Sequence, residues 1–220
     1  MNVFEAIEGR RSIREFLSKE VELEKLEKVL EVSRRAPSWK NIQAYKLAVV
    51  RGESLQNLKN KLFAAAEKEE AETPDFPYQT QYPSYVKKRM LNLGMEFYTW
   101  LNIDRKDREK RKEQMLKNFH AFGASVAIFF FMEKGFAFWE SLDLGILLGH
   151  IMLSAREEGL ETIAMASLAA YPQIVKKELN IPDNWNLAVG MALGYADMQA
   201  RTNQFVTERE DKKEIITYYL

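Results

Sequence analysis

Near one end of the chain, Arg10-Arg11-Ser12-Ile13-Arg14 sets three guanidinium groups and a hydroxyl within five residues. Guanidinium groups remain charged and grip phosphate oxygens two at a time, which an ammonium group does not do. The pattern suits anion binding, although charge runs of this kind are most often solvated turns. The motifs that usually cradle nucleotide phosphates are missing, since neither G-x-G-x-x-G nor G-x-x-x-x-G-K-[ST] occurs. A cofactor phosphate would have to be held by side chains. Other chemistry is poorly equipped. The chain has no cysteine, which excludes disulfides, thiolate metal sites and a thiolate nucleophile. The two histidines, His120 and His150, lack metal-ligand spacing and an evident Ser or Asp partner, so neither a metal site nor a hydrolytic triad is expected. His150 lies in an apolar stretch and reads as a core residue. Reactivity would have to come from a cofactor.

The elements that must position these residues follow from periodicity. A short helix over 2–9 precedes the arginine cluster, and Leu23, Leu26, Val29 and Leu30 predict an amphipathic helix over 22–35. Pro37 ends it and opens a loop at 38–41. A strand at 45–50 and a helix over 54–71 follow. Residues 72–84 hold Pro74, Pro77 and Pro83 with Phe76, Tyr78 and Tyr82, a composition suited to a mobile aromatic lid. Helices are expected at 85–101 and 105–119, the second densely charged. SVAIFFFM at 125–132 reads as a strand buried on both faces. The run 139–158 reads as a buried helix, with Gly145 and Gly149 permitting close helix packing. A strand near 160–166, a helix over 172–180 and a strand at 186–195 complete the pattern. Strands separated by helices indicate an α+β or α/β fold.

Composition sets outer bounds. The chain has 220 residues, 46% hydrophobic and 29% charged, an ordinary globular balance. At that length roughly 70–75% of the unfolded surface can be buried. Lys plus Arg and Asp plus Glu number 32 each, so no net field favours nucleic acid or an anionic membrane. The opening MNVFEAIEGRR lacks a secretory pattern, and the apolar stretch 142–155 is too short and too interrupted to span a bilayer. A cytoplasmic protein is expected.

Further segments recur in order. After RRSIREF come Ala36-Pro37-Ser38-Trp39-Lys40-Asn41-Ile42-Gln43, then 119–127, Ser141-Leu142-Asp143-Leu144-Gly145, Ala155-Arg156-Glu157-Glu158-Gly159-Leu160-Glu161-Thr162 and Gly190-Met191-Ala192-Leu193-Gly194-Tyr195, with Asn203, Phe205 and Thr207-Glu208-Arg209 last. At these spacings the chain resembles the nitroreductase family of FMN flavoproteins over nearly its whole length. The resemblance implies an α+β fold of three α/β/α layers around a small mixed sheet, in an intertwined homodimer. It implies one FMN-binding domain over 1–220, with 72–119 as a helical lid and 196–220 as an extension packing on the partner.

Site residues are implied in the same way. Arg10, Arg11, Ser12 and Arg209 would hold the FMN phosphate, and Arg14 would sit at the flavin's pyrimidine edge, where it would stabilise negative charge. Pro37, Ser38, Trp39, Asn41 and Gln43 would pack on flavin bound mainly by the other subunit, although Ala44 replaces the family's usual Pro. Asn118 would lie near the ring, and Ala164, Met165 and Ala166 would present backbone N–H groups to flavin N5. Substrate contacts are expected from Trp39, Tyr82, Tyr85 and Arg89. Trp39 is equally read as a stacking surface or as a dimer-core aromatic. NAD(P)H would reduce the flavin and leave, and a nitroaromatic or quinone-like acceptor would take its place in a ping-pong scheme. The alternatives are a halotyrosine reductive dehalogenase, against which Gln81 stands where that subgroup has Glu, and a flavin-binding or redox-sensing protein without catalysis.

Overall fold

Seven consecutive apolar residues, VAIFFFM at 126–132, give a strand with no polar face, so both faces must be covered. The computed structural model, which describes residues 1–220, covers them with two separate cores. Strand β2 (Val126–Glu133) sends Ala127, Phe129 and Phe131 into one core and Val126, Ile128, Phe130 and Met132 into the other, the period-two alternation of a strand. Around it lie β1 (Tyr45–Arg51), β3 (Glu161–Met165) and β4 (Trp185–Gly194), in the order β1-β2-β4-β3. Helices α3 (Gly52–Glu67) and α7 (Pro172–Leu179) fill the first core with Leu55, Leu58, Leu62 and Val175. Helices α2 (Leu23–Ser33) and α6 (Phe138–Glu157) fill the second with Leu26, Val29, Leu144, Leu147 and Ile151. The expected α+β class and three layers hold.

The expected mixed sheet does not. All three pairings are antiparallel. Helix α6 carries the chain from β2 to β3, which run in the same direction as a helical crossover requires. Strand β4 inserts between them and leaves no adjacent parallel pair. A register shift between Phe130 and Phe131 leaves Ala188 as an extra residue on β4, so its alternation reverses there. Gly190 thereby faces Leu168, and a Cβ on it would lie 2.4 Å from the Leu168 Cβ. Only a glycine lets the turn at Ala166–Ala169 close against the sheet directly after β3.

Helix boundaries follow local chemistry. The charged helix starts later than expected, as α5 (Arg108–Leu116), because the Asp107 side chain accepts the Lys110 N–H at 3.0 Å and caps it. It ends where the tight turns of Lys117–Gly123 begin, with Ala121 and Phe122 at φ of 50° and 52°. Helix α4 (Ser84–Trp100) has no buried residue. Helix α6 is not buried all round, as its composition suggested. Leu144, Leu147, Ile151 and Ala155 face the core, while Phe138, Trp139, Leu142 and Ile146 are exposed. No other atom approaches the Cβ positions of Gly145 or Gly149 within 4 Å, so no close helix contact forms there in this chain. His150, expected in the core, is half-buried, with Nδ1 2.9 Å from the Ile146 carbonyl. The apolar composition of α6 marks it for burial, and within this chain only one of its faces is covered.

Candidate active site

Strand β3 is a sheet edge, so its outer side carries backbone groups without a strand partner. The arginine cluster uses one of them. Ile13, fully buried, donates its N–H to Thr162 O at 3.2 Å, which lays residues 10–14 along that edge. The other end of the chain arrives at the same place. Asn203, 1% exposed, accepts the Arg14 N–H on Oδ1 at 2.7 Å and donates from Nδ2 to Glu15 O at 2.7 Å and Asp197 O at 2.8 Å. Its carbonyl takes a guanidinium N–H of Arg11 at 3.3 Å. Residues 205–209 then complete a cavity of about 280 Å³, lined by Arg10, Arg11, Ser12, Arg14, Thr207 and Arg209 among others. Arginines from opposite ends of the chain face one space.

Four guanidinium groups surround that space, and none of them is ion-paired. Their donors go to neutral oxygens: Arg14 to Ser12 O at 3.2 Å, and Arg209 to Thr207 Oγ1 at 2.7 Å and Glu208 O at 3.0 Å. Arg14 is half-buried, with its guanidinium carbon 5.1 Å from the centroid of the Phe97 ring, and burial pulls its pKa below the ordinary arginine value. The nearest buried carboxylate is committed elsewhere, since Glu161 pairs with Arg156. Burial raises the Glu161 pKa, and the charges of Arg156, Arg11 and Arg10 oppose that rise. Glu8 also lines the space, one carboxylate against four guanidinium groups, so the net positive charge invites an anion.

Arg14 also lines a second cavity of about 360 Å³ and so stands between the two. Its walls are of a different kind. Ile163, Ala164, Met165, Ala166 and Ser167 supply the end of β3 and the turn after it, and Met115 and Asn118 come from the end of α5 and the turn beyond. Asn118 donates to Met115 O at 2.7 Å, and Ser167 Oγ lies 3.4 Å from Asn118 Oδ1. Glu72 and Tyr78 close it from the loop before α4. The Tyr78 hydroxyl points to Ala166 O at 3.5 Å, and its pKa is pushed up to about 12, by burial first and by the Glu72 charge second. It stays neutral near pH 7.

The structure therefore unites Arg10, Arg11, Ser12, Arg14, Asn118, Ala164, Met165, Ala166 and Arg209. It does not bring the other expected residues to this cleft within one chain. Pro37, Ser38, Trp39, Asn41 and Gln43 lead into β1, at the opposite edge of the sheet, roughly 14 Å away at the usual strand spacing. There the Trp39 N–H is held by both carboxylate oxygens of buried Asp143, at 3.0 and 3.1 Å. Lys40, Asn41 and Gln43 have φ of 49°, 57° and 46°, an unusual run for side chains with a Cβ. Tyr85 and Arg89 line a separate cavity of about 660 Å³ against the C-terminal segment, where Arg89 pairs with Glu210. Tyr82 lines neither part of the cleft. Tyr78 and Glu72 line it instead, and Asn203 and Asp143 act as anchors, a role that sequence reasoning missed. The aromatic composition of 72–84 pointed to the lid but not to which tyrosine enters.

A family model described as the Nitroreductase family matches residues 7–195. The chain belongs to this family. Among nitroreductase relatives, a 4-nitrobenzoate reductase from Pseudomonas putida is 30% identical over 204 residues, covering 93% of this chain and 89% of that protein. A nitroreductase NfnB from Mycolicibacterium smegmatis is 30% identical over 198 residues, covering 90% and 84%. Two solved nitroreductases share the fold closely. The FMN- and NADPH-dependent NfnB from sphigopyxis sp. strain HMH superposes with a TM-score of 0.95 at 29% identity, covering 100% of this chain and 99% of that one. The FMN-dependent NfnB from Mycobacterium smegmatis, solved in complex with NADPH, gives 0.94 at 28% identity, covering 99% and 97%.

Proposed function

We propose that this nitroreductase is an FMN-dependent oxidoreductase that uses NAD(P)H to reduce nitroaromatic, quinone-like or related small acceptors. One observation carries the reading: four arginines from both ends of the chain, none in an ion pair, line a pocket that shares Arg14 with a second cavity walled by the end of β3 and the turn after it. The donor set fits FMN. Arg10, Arg11, Ser12 and Arg209 would hold its phosphate with permanently charged donors. Arg14, between the two parts, would meet the polar edge of the ring, where a fixed positive charge favours extra electron density. The backbone of Ala164, Met165 and Ala166 would face the opposite edge. Bound there, FMN would supply two-electron chemistry, accepting hydride from a nicotinamide and passing it to an acceptor. Relatives named as nitrobenzoate and nitrobenzene reductases, and structural neighbours described with FMN and NADPH, support this choice of cofactor and acceptor.

The reading includes a homodimer. In one chain Trp39 and its loop lie at the edge of the sheet opposite the arginines, so a second copy is needed to bring the two halves of the signature together. The exposed Phe138, Trp139, Leu142 and Ile146 on α6, beside the uncrowded Gly145 and Gly149, supply a surface for that copy. Residues 1–220 form one domain, with 72–119 as the lid and 196–220 as the extension. Residues 201–205 dock on their own chain, where Trp100 donates to Arg201 O at 2.8 Å, while the apolar end from Ile215 to Leu220 is left exposed for the partner. No helix is long and apolar enough to cross a membrane. A cytoplasmic setting agrees with the absence of cysteine.

The test is cofactor retention. Arg10→Ala and Arg209→Ala are each expected to elute from gel filtration depleted of FMN while keeping the wild-type circular dichroism. Full flavin content in both variants would remove the phosphate assignment.

A further inference from the structure

Outside the cleft, the chain has a second recess with the makings of a nucleotide subsite. Between α4 and α5 lies a cavity of about 490 Å³, within the roughly 300–1,000 Å³ of small-molecule sites, lined by Leu91, Met95, Tyr98 and Ile103 together with Arg105 and Arg111. The two arginines are held together, Arg111 donating to Arg105 O at 3.4 Å with its guanidinium carbon 4.4 Å from the Tyr98 ring centroid. Neither is ion-paired. The carboxylates of the same turn are engaged elsewhere: Asp104 accepts the Lys106 N–H at 2.7 Å, and Asp107 accepts the Lys110 N–H at 3.0 Å and pairs with its ammonium at 3.2 Å. The recess thus offers apolar side chains and two guanidinium groups outside any ion pair, with no carboxylate in its lining.

Its position matters as much. Arg111 and Met115 lie one turn apart on α5, about 6 Å along the helix axis, and Met115 lines the cavity assigned to the flavin ring. A molecule reaching from the ring cavity over α5 would arrive in this recess.

We propose that this recess binds the adenosine 2′-phosphate end of NADPH, so that Arg105 and Arg111 select NADPH over NADH. The proposal rests on the oxidoreductase reading above and adds to it the reductant and its reader. The chain has no G-x-G-x-x-G turn to hold a dinucleotide by its pyrophosphate, so discrimination must come from side chains at its far end. Purine rings stack on faces such as those of Tyr98 and an arginine plane, and a 2′-phosphate takes paired guanidinium donors. NADH has a hydroxyl where NADPH has that phosphate, and it would gain only the stacking.

The experiment uses the FMN-loaded protein and its Arg105→Ala, Arg111→Ala and Arg111→Lys variants. Binding of 2′,5′-ADP and of 5′-ADP is measured by calorimetry, and KM and kcat are measured with NADPH and with NADH. Wild type is expected to bind 2′,5′-ADP and to prefer NADPH. Each alanine variant is expected to raise KM for NADPH about tenfold or more, the loss of a charge-assisted contact. It should weaken 2′,5′-ADP to the level of 5′-ADP, with FMN content, kcat and KM for NADH within twofold of wild type. Arg111→Lys should recover part of the loss. Equal effects on the two nicotinamides, or 2′,5′-ADP binding no tighter than 5′-ADP in wild type, would overturn the subsite and leave the oxidoreductase intact. Flavin reduced by neither nicotinamide would overturn the oxidoreductase reading and this inference with it.

Discussion

Asn203→Ala separates the two ends of the phosphate pocket without touching an arginine. Asn203 is almost fully buried, and its side chain makes three hydrogen bonds of 2.7–2.8 Å, to Arg14 N, Glu15 O and Asp197 O. Removing the amide does not strand all three. Glu15 O keeps the Asp197 N–H at 3.1 Å and Asp197 O keeps the Ala200 N–H at 3.2 Å, so the group left without a partner is the Arg14 N–H. An unsatisfied buried group costs about 1–3 kcal/mol, which puts the loss at about 2 kcal/mol. For a chain of this length that lowers Tm by roughly 4–8 °C. The more telling effect is on the ligand. With the 203–209 segment no longer tied to residues 11–15, Arg209 and Arg10 must be re-ordered on binding. FMN affinity is expected to fall by more than about tenfold, the equivalent of ~1.4 kcal/mol. Flavin fluorescence quenching on titration of apoprotein reads the affinity, and calorimetry reads Tm. A variant with the expected Tm loss but wild-type FMN affinity would show that Asn203 only supports the fold, and the coupling argument would fail.

Other consequences can be checked in parallel. Asp143→Ala removes the carboxylate that grips the Trp39 N–H and releases a loop held at three left-handed positions. A loss of about 2–3 kcal/mol and a tenfold fall in turnover per bound FMN are expected, and unchanged turnover in a steady-state assay would contradict a role for that loop. Lys59 is 9% exposed with only Ala124 O at 3.3 Å, and burial holds its ammonium below the usual lysine pKa. The unfolded chain therefore binds that proton more readily, and the cost to the fold is present at neutral pH and fades as pH rises through the lysine range. Lys59→Met should raise Tm by roughly 2–4 °C at pH 7, with a gain that shrinks above pH 10. A drop in Tm at pH 7 would show the ammonium to be stabilising.

How much the sequence disclosed depends on where each signal resides. The run VAIFFFM needs no tertiary knowledge, because a strand without a polar face has one solution, and β2 is where it should be. Strand neighbours are set by pairing and not by chain order, so β4 between β2 and β3 was invisible, and an antiparallel sheet replaced the expected mixed one. Helix α6 reads as buried from its composition, which does not disclose that only one of its faces meets the core of the chain. Within the site, Arg10 and Arg14 announced a phosphate by residue type, yet only resemblance joined them to Arg209. Asn203 and Asp143 stand in the segments that carry the resemblance, yet their roles were not legible, since each anchors backbone groups far away in sequence. Tyr78 lines the cleft in this chain and Tyr82 does not, and a loop's composition does not tell which way each ring turns.

The phosphate is the centre of the account, and riboflavin, which is FMN without it, isolates that group. Binding of FMN and of riboflavin to apoprotein should be compared between wild type and the Arg10→Ala/Arg209→Ala double variant. The account predicts a large preference for FMN in wild type that collapses in the double variant, with riboflavin affinity nearly unchanged. A double variant that still favours FMN as strongly as wild type would contradict it.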